Sequence, residues 1–449
     1  MKKLMMIGSV LSLLSSSAFA TQARLLALGM NETDNEGMYY ISDARNIFLN
    51  PAYVNIYADY AVFEYGSSGL PATVIAGTAS AATLNGFSTP KAQGGAFKRY
   101  GDFVYGVYLG NESNTSALLR IAGTSAIATF DGATAPAGTN AVSKMLQTAD
   151  NQVDFFFGGD NGLKWAVNPT FSTGKDETRN AKDSAAAIRL GAIASNWDAH
   201  ANISLRSKAE ASETIAAAGL GVGATTVTQE FKGKLGLQVG GSYALSENNK
   251  VFGYVKNYGW EQSDSFTNYG GALAALGGQT GTVKGNFTSY YLGWGSDFSV
   301  NNGDKVYTSV GARKTDIDLK FTRKSEVRHL IVPVVIGYEA KATDWLTLRG
   351  SFVQNVYGQS NNKNINNVGA TGTQINPVGR TLVAALYGGT GVKTVANSTT
   401  VNAGASLNFG KLTLDGLLGT TSSAGVANSK TGVFSVDNLL TSVAAVYNF

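Results

Sequence analysis

The chain has two histidines and no cysteine, so few of its side chains could activate water, ligate a soft metal or act as a strong nucleophile. Asp198 and His200 stand two residues apart, a spacing that puts both on one face of a strand and makes a carboxylate–imidazole pair. No third group is placed to complete that pair. The run Ser195-Asn196-Trp197-Asp198 reads as a tight turn, so a solvated turn is the expectation rather than a hydrolytic centre. His329 follows the polar stretch 322–328 and is expected at a rim. Glu32, Asp34, Glu36, Gly37 and Asp43 approach the register of a calcium loop. The last position, however, carries Asp where a bidentate Glu belongs, and no helix pair flanks it. Gly-rich 219–223 and 388–391 do not follow a strand and open a helix, as phosphate loops do. Without Cys, disulfides and thiol-ligated metals are excluded. The chain is expected to be no enzyme and to hold no cofactor and no metal.

The side chains with more to offer are basic ones that alternate with apolar neighbours: Arg189, Arg206, Lys232, Lys234, Arg313 and Arg349. Alternation on a strand sends charge to one face and apolar groups to the other. If the apolar face meets lipid, these six are the pore-lining candidates, with Asp316, Asp318 and Asp415 as offsetting acids. Rings of basic side chains favour anions, so the expectation is a weakly anion-preferring or unselective channel.

Such a pore needs a wall, and the chain carries the marks of one. Lys2 and Lys3, the apolar run 4–14 and Ala18-Phe19-Ala20 form an export signal over residues 1–20, too short to span a bilayer. No later apolar run is long enough for a transmembrane helix. Charged residues make up only 15%, Gly numbers 54, Tyr 20 and Phe 21, with 7 Pro. Few charges with many aromatics suit a lipid-facing surface, and a closed barrel is the non-helical way to satisfy every backbone group there. A formal charge of +4 is too small and too scattered for a nucleic-acid partner.

The pattern along the chain is that of strands. Leu235, Leu237, Val239, Gly241, Tyr243 and Leu245 alternate with Lys234, Gly236, Gln238, Gly240 and Ser242. Similar alternation runs through 186–192, 202–206 and 288–298. Short turns fall near 99–102, 159–162, 195–198, 246–249, 301–304, 342–344 and 410–411. Between them lie longer polar or Gly-rich stretches at 66–92, 111–152, 174–183, 208–229, 262–282, 322–328, 359–396 and 422–438. Short and long connections alternate, as they do in bacterial barrels. The fold class is therefore all-β, a transmembrane antiparallel up-and-down β-barrel of about 16 strands, in a range of 14–18. Within 111–152, residues 140–149 read as a short helix, in a connection that either folds into the pore, packs over the rim or hides further strands.

Two segments carry resemblances. Val443, Ala445, Tyr447 and Phe449 share one face, and the terminal Phe with Tyr447 resembles the assembly signal of outer-membrane barrels handled by the barrel-assembly machinery. Ala27-Leu28-Gly29, followed by Asp43-Ala44-Arg45-Asn46 and Asn50-Pro51-Ala52, resembles the start of the FadL family of outer-membrane transporters for long-chain fatty acids and other hydrophobic compounds. The resemblance implies that residues 21–54 form an N-terminal hatch with Asn50, Pro51 and Ala52 as its motif, and that 55–449 form the barrel. A plain turn before the first strand is the alternative reading of the same residues. The resemblance covers a small part of the chain, and the family's barrel has 14 strands.

The leading functional expectation is a porin-like channel in the bacterial outer membrane for passive transport of small solutes. The alternatives are FadL-type uptake of hydrophobic compounds through a plugged barrel, and a structural or adhesive surface barrel. Expected partners are outer-membrane lipid and lipopolysaccharide, the assembly machinery, small solutes and, by analogy with porins, two further copies in a homotrimer.

Overall fold

The computed structural model describes residues 21–30, 36–67, 90–115, 117–118, 146, 151–177, 180–215, 225–266, 281–300, 303–320, 324–363, 390–394, 399–422 and 442–449. The expected export signal and all of the expected helix at 140–149 except Leu146 lie outside them.

Eighteen strand segments follow one another: β1 Tyr60–Ser67, β2 Pro90–Tyr100, β3 Phe103–Asn111, β4 Gln152–Asp160, β5 Lys164–Asp176, β6 Ala181–Ile193, β7 Trp197–Ile215, β8 Thr225–Gly233, β9 Gly236–Ser246, β10 Asn249–Phe266, β11 Gly281–Ser299, β12 Lys305–Lys320, β13 Lys324–Lys341, β14 Leu346–Lys363, β15 Gly391–Thr394, β16 Thr399–Phe409, β17 Leu412–Ser422 and β18 Ser442–Asn448. Each pairs antiparallel with its neighbours, and β1 pairs with β18, closing the sheet. β8 and β9 both lie between β7 and β10, and β15 and β16 both lie against β14, so each couple is one interrupted stave. The wall thus has 16 staves, all antiparallel, and closure leaves no open edge.

Seven tight connections gather at one end, and the wider intervals, such as 68–89 and 112–151, at the other. Intervals 177–180 and 321–323 are as short as the turns, because β5, β6 and β13 run on through residues that read as loop in sequence.

The outer face shows how the barrel meets a bilayer. On β7 it carries Trp197, Ile203 and Leu205; on β11, Phe298, Trp294, Leu292 and Tyr290; on β13, Tyr338 and Ile336. A band of about nine to eleven residues per strand is what a bilayer crossing requires. Above that band, on the wide-interval side, the same face turns to charge. Lys208 and Glu210 pair at 2.6 Å, Lys232 and Glu230 at 2.8 Å, Lys324 and Glu326 at 2.6 Å, and Arg328 and Asp318 at 2.7 Å. This is a membrane-spanning barrel whose longest strands stand clear of the apolar layer at the wide end.

Two bulges sit side by side at that boundary. On β7, Ser204 and Arg206 oppose adjacent residues Ala187 and Ala186, which leaves Leu205 as an extra residue. Between β8 and β9, three residues (Lys234, Leu235, Gly236) face two on β10 (Tyr258, Gly259). An inserted residue exchanges the faces of everything beyond it. Below the bulge the even-numbered Asn202, Ser204 and Gln238 are buried; above it the odd-numbered Ala209, Ala211 and Phe231 are.

Candidate functional site

Residues 21–30 and 36–57 do not lie outside the barrel; they fill its tight-turn mouth. Thr21 caps the helix Gln22–Ala27, with its hydroxyl accepting from Arg24 N. Asp43 and Asn50 cap 3-10 turns at Ala44–Ile47 and Pro51–Asn55 in the same way. Within the expected motif, Pro51 takes the first helical position, where its missing N–H costs nothing. The Asn50 amide donates to the carbonyls of Ala192 and Ala199 at 3.2 Å each, its Oδ1 accepts from Ala52 N at 3.0 Å, and Ala52 is fully buried. Asn55 reaches Trp165 O at 2.9 Å. The side chain packs where Gly191 bares the wall: a Cβ there would lie 2.0 Å from Asn50 Oδ1.

Buried charge ties this plug to the staves. Arg24 donates to both oxygens of Glu339 on β13 (2.9 and 2.6 Å) and to Asp43 (2.9 Å). Glu339 also accepts from Arg349 Nε and Tyr307 Oη, each at 2.6 Å. Arg349 continues to Asp415 at 2.8 Å, which takes the Thr21 hydroxyl at 3.1 Å. A second cluster joins Arg45 to Glu64 on β1 at 2.5 Å, with Tyr108 Oη on the same carboxylate at 2.6 Å. Burial outweighs the Arg24 guanidinium at Asp43 and pushes its carboxyl up to about 7.

One strand, β10, reads out the layers of the lumen. Phe252 and Tyr254 at its tight-turn end pack on the plug, and Tyr39 stacks on Phe252 at 5.1 Å. Two residues on, Lys256 lies 3.5 Å from Glu36, which also accepts from Gln238 at 2.9 Å. Higher still, Tyr258 and Trp260 belong to an apolar cluster with Phe231, Val283, Phe287, Ile317, Leu319 and Val327 from neighbouring staves. Leu118 and Leu146, from the 112–151 interval, are buried in the same cluster. Part of that interval therefore folds inward, one of the three readings its sequence allowed. Trp260 lies over Gly285 on β11, where a Cβ would come within 2.0 Å of the indole. The outer half of the lumen thus carries a greasy arc on β6–β13, continued around the wall by buried polar side chains such as Ser360 and Asn362 on β14 and Gln152 and Ser172 on β4 and β5, above a polar layer and a plug.

The six basic candidates separate. Arg189 faces inward and is neutralised by Asp154 at 2.6 Å, with Asn168 at 2.7 Å. Arg349 belongs to the plug cluster just described. Arg313 lies over the ring of Tyr291, 5.2 Å from its centre. Arg206, Lys232 and Lys234 are on the outer face instead. Arg206 bonds Ser184 on the exterior at 3.0 Å, and Lys232 and Lys234 pair with Glu230 and Glu261. Alternation was carried in sequence straight across the two bulges, and each reverses it. Asp316 and Asp318 likewise join Lys314 and Arg328 outside, and Asp415 faces in.

Asp198 and His200 do share the inward face, but they engage different partners: Asp198 holds the Ser242 hydroxyl, and His200 Nε2 meets Tyr39 Oη of the plug at 2.7 Å. His329 is not at a rim; it opposes Thr315 in the upper part of the β12–β13 ladder, inside the wide end. Of the calcium-like register, Glu32 and Asp34 lie outside the described residues, and Asp43 serves Arg24 and the Arg45 N–H. Among the described residues no group of three or more metal-ligating side chains occurs. Tyr447 and Phe449 stand on the outer face of the last stave, where Lys98 caps the Phe449 ring at 5.1 Å.

The functional residues that sequence reasoning missed are Arg24, Arg45, Glu64 and Glu339, which hold the plug, and the arc around Trp260. Arg24 and Glu339 stand 315 residues apart in sequence and Arg45 and Glu64 19 apart, and neither spacing marks an ion pair between a plug and a wall.

No family model and no curated protein matches the chain. Several solved structures resemble it. The CymD monoaromatic hydrocarbon channel is 10% identical over 94% of this chain and 98% of that one, with a TM-score of 0.39. A Pseudomonas aeruginosa FadL homologue is 12% identical over 92% and 96%, at 0.40. The Pseudomonas putida toluene transporter TodX is 13% identical over 92% and 95%, at 0.34. The chain spans only 53% of the Acinetobacter baumannii ferric preacinetobactin receptor BauA, at 9% identity over 79% of its own length and a TM-score of 0.38. At such scores likeness decides nothing by itself; the chain's own geometry does. The molecule is a plugged, outer-membrane-type β-barrel.

Proposed function

We propose that the protein is a passive channel for small hydrophobic compounds, of the kind the FadL resemblance implied, rather than a general porin for hydrophilic solutes. The observation that carries this reading is the apolar arc of Phe231, Tyr258, Trp260, Val283, Phe287 and Ile317 along one side of the outer half of the lumen. A porin conducts because its interior is wet and polar. An apolar lining disfavours water and ions, while a hydrophobic solute loses nothing there and gains burial. The charge-tied plug beneath the arc is a second obstacle to bulk flow, and Arg189 and Arg349 are neutralised by acids, so the basic ring needed for anion selection is missing from those positions. No step of the proposed transport calls for catalysis.

The test is planar-bilayer recording alongside toluene binding to protein in lipid nanodiscs. Small or absent ion conductance with saturable toluene binding is expected. Large, steady openings without such binding would return the protein to the porin class. A silent barrel that binds no hydrophobic probe would leave display of surface loops as its role.

A further inference from the structure

Within the apolar arc stands a polar side chain that bonds to none of the described residues. Gln262 lies two residues beyond Trp260 on β10, so both point inward. Across the ladder it opposes Phe231 on β8 and Val283 on β11, both members of the arc. It is 1% exposed, and among the described residues neither Oε1 nor Nε2 has a hydrogen-bond partner. Other amides facing the lumen are engaged: Gln238 donates to Glu36, and Asn168 donates to the Phe155 carbonyl while accepting from Arg189. A buried amide with both ends idle bears the full desolvation penalty, and apolar surroundings make that penalty larger. A side chain kept under that strain is one that a ligand could satisfy.

We propose that Gln262 is the polar contact of the hydrophobic site and selects neutral molecules that carry one hydroxyl or carbonyl, such as phenols and alcohols. The proposal rests on the hydrophobic-uptake reading and sharpens it. The arc presents apolar surface to the body of the ligand. The amide offers N–H donors and a carbonyl acceptor, and a hydroxyl meets both kinds at once. A bare hydrocarbon leaves the amide unbonded. Among the described residues no cation at this level faces a carboxylate: Lys232, Lys284 and Lys320 on these staves are exposed on the outer face, and the inward Lys256 and Arg313 lie lower, against Glu36 and the Tyr291 ring. The inward charge at this end of β6 is Asp183, itself an acid, whose register partner Ala209 belongs to the arc.

A matched series tests this: p-cresol, toluene and p-toluate, with affinities measured on nanodisc-embedded protein and corrected for partition into empty nanodiscs. Native protein is expected to hold p-cresol about tenfold tighter than toluene, the worth of one buried hydrogen bond, and p-toluate more weakly than either. Gln262→Leu keeps the bulk and removes the amide. It should leave toluene binding in place, which also reports an intact site, and bring p-cresol down to the toluene level. An unchanged p-cresol preference in Q262L, or equal affinities in the native protein, overturns the role of Gln262 while uptake of hydrophobic compounds stands. Failure of native protein to bind either neutral compound sinks both.

Discussion

Glu339 holds the plug in a way that can be measured. Its carboxylate takes two hydrogen bonds from Arg24, one from Arg349 and one from Tyr307, and it is 6% exposed. Glu339→Gln keeps the shape and removes the charge, leaving Arg24 with Asp43 and Arg349 with Asp415. Breaking a buried ion pair by removing one partner costs about 3–5 kcal/mol, and Asp43, whose carboxyl burial pushes up to about 7, covers only part of the Arg24 charge that Glu339 gives up. Arg24 recovers its hydration if the plug leaves, so most of that cost falls on the docked state. At about 1.4 kcal/mol per decade, the docking equilibrium shifts by roughly two to three and a half decades. The native chain has no Cys, so a single Cys at Ala44, which is 2% exposed in the plug, reacts with a water-soluble thiol reagent only when the plug opens. When reclosing is fast, the labelling rate follows the open population. E339Q should therefore speed labelling about a hundredfold or more. Lys175→Met, which removes an exposed pair with Glu177, should leave it unchanged. A rise below tenfold in E339Q would refute the claim that this carboxylate anchors the plug.

Further perturbations read other parts of the same arrangement. Asn50→Ala removes a 3-10 cap and two bonds to wall carbonyls, and should speed labelling about tenfold, one to two hydrogen bonds' worth. Asp43 prefers to be protonated in the docked plug, so its contribution is fully present below about 3.8 and fades as pH rises through about 7. Labelling corrected for thiol ionisation should accordingly increase from pH 5 to pH 8, and Asp43→Asn should flatten that profile. Gly285→Val drives a side chain into Trp260, and should abolish toluene binding while leaving the barrel resistant to unfolding in cold detergent. Replacing Lys208, Lys232 and Lys284 together by Glu reverses charge on the outer face above the apolar band, and should remove any preference for phosphate-rich lipopolysaccharide over neutral lipid in a flotation assay.

Much of the wall was legible because its signal is periodic and local. Leu237, Val239 and Tyr243 alternate without interruption, and they stand on the outer face with Gln238 behind them. Tight turns were legible at Gly101, Gly162, Gly303 and Gly410, all with positive φ, where glycine meets no steric penalty. The plug was visible only through resemblance, since Asn50-Pro51 by itself reads equally as a turn. The arc around Trp260 was hidden for a different reason. Ala209, Phe231, Val283 and Ile317 come from four staves, and each belongs to a short alternating run whose facing depends on where the count begins. Sequence fixes that origin only if no residue is inserted.

The paired bulges decide what kind of lumen the outer half can be. Continue the lower register of β7 and β9 upward without them, and Lys208, Glu210, Glu230 and Lys232 turn inward while Ala209, Ala211 and Phe231 turn to the outside. Such a barrel has a charged, wet mouth and an apolar stripe in the headgroup layer, the inverse of what is found on both faces. Leu205 and the extra residue among Lys234-Leu235-Gly236 exchange those faces at one level on two adjacent staves, so each bulge matches the other and the ladder between them stays in register, Ser204 with Gly236 and Ser207 with Gly233. Removing Leu205 alone breaks that match, whereas removing Leu205 and Leu235 together preserves it. The double deletion should therefore still assemble, yet conduct ions through a charged mouth and lose hydrophobic binding. A double deletion that still binds toluene and stays electrically silent would show that the two bulges do not set the character of the lumen.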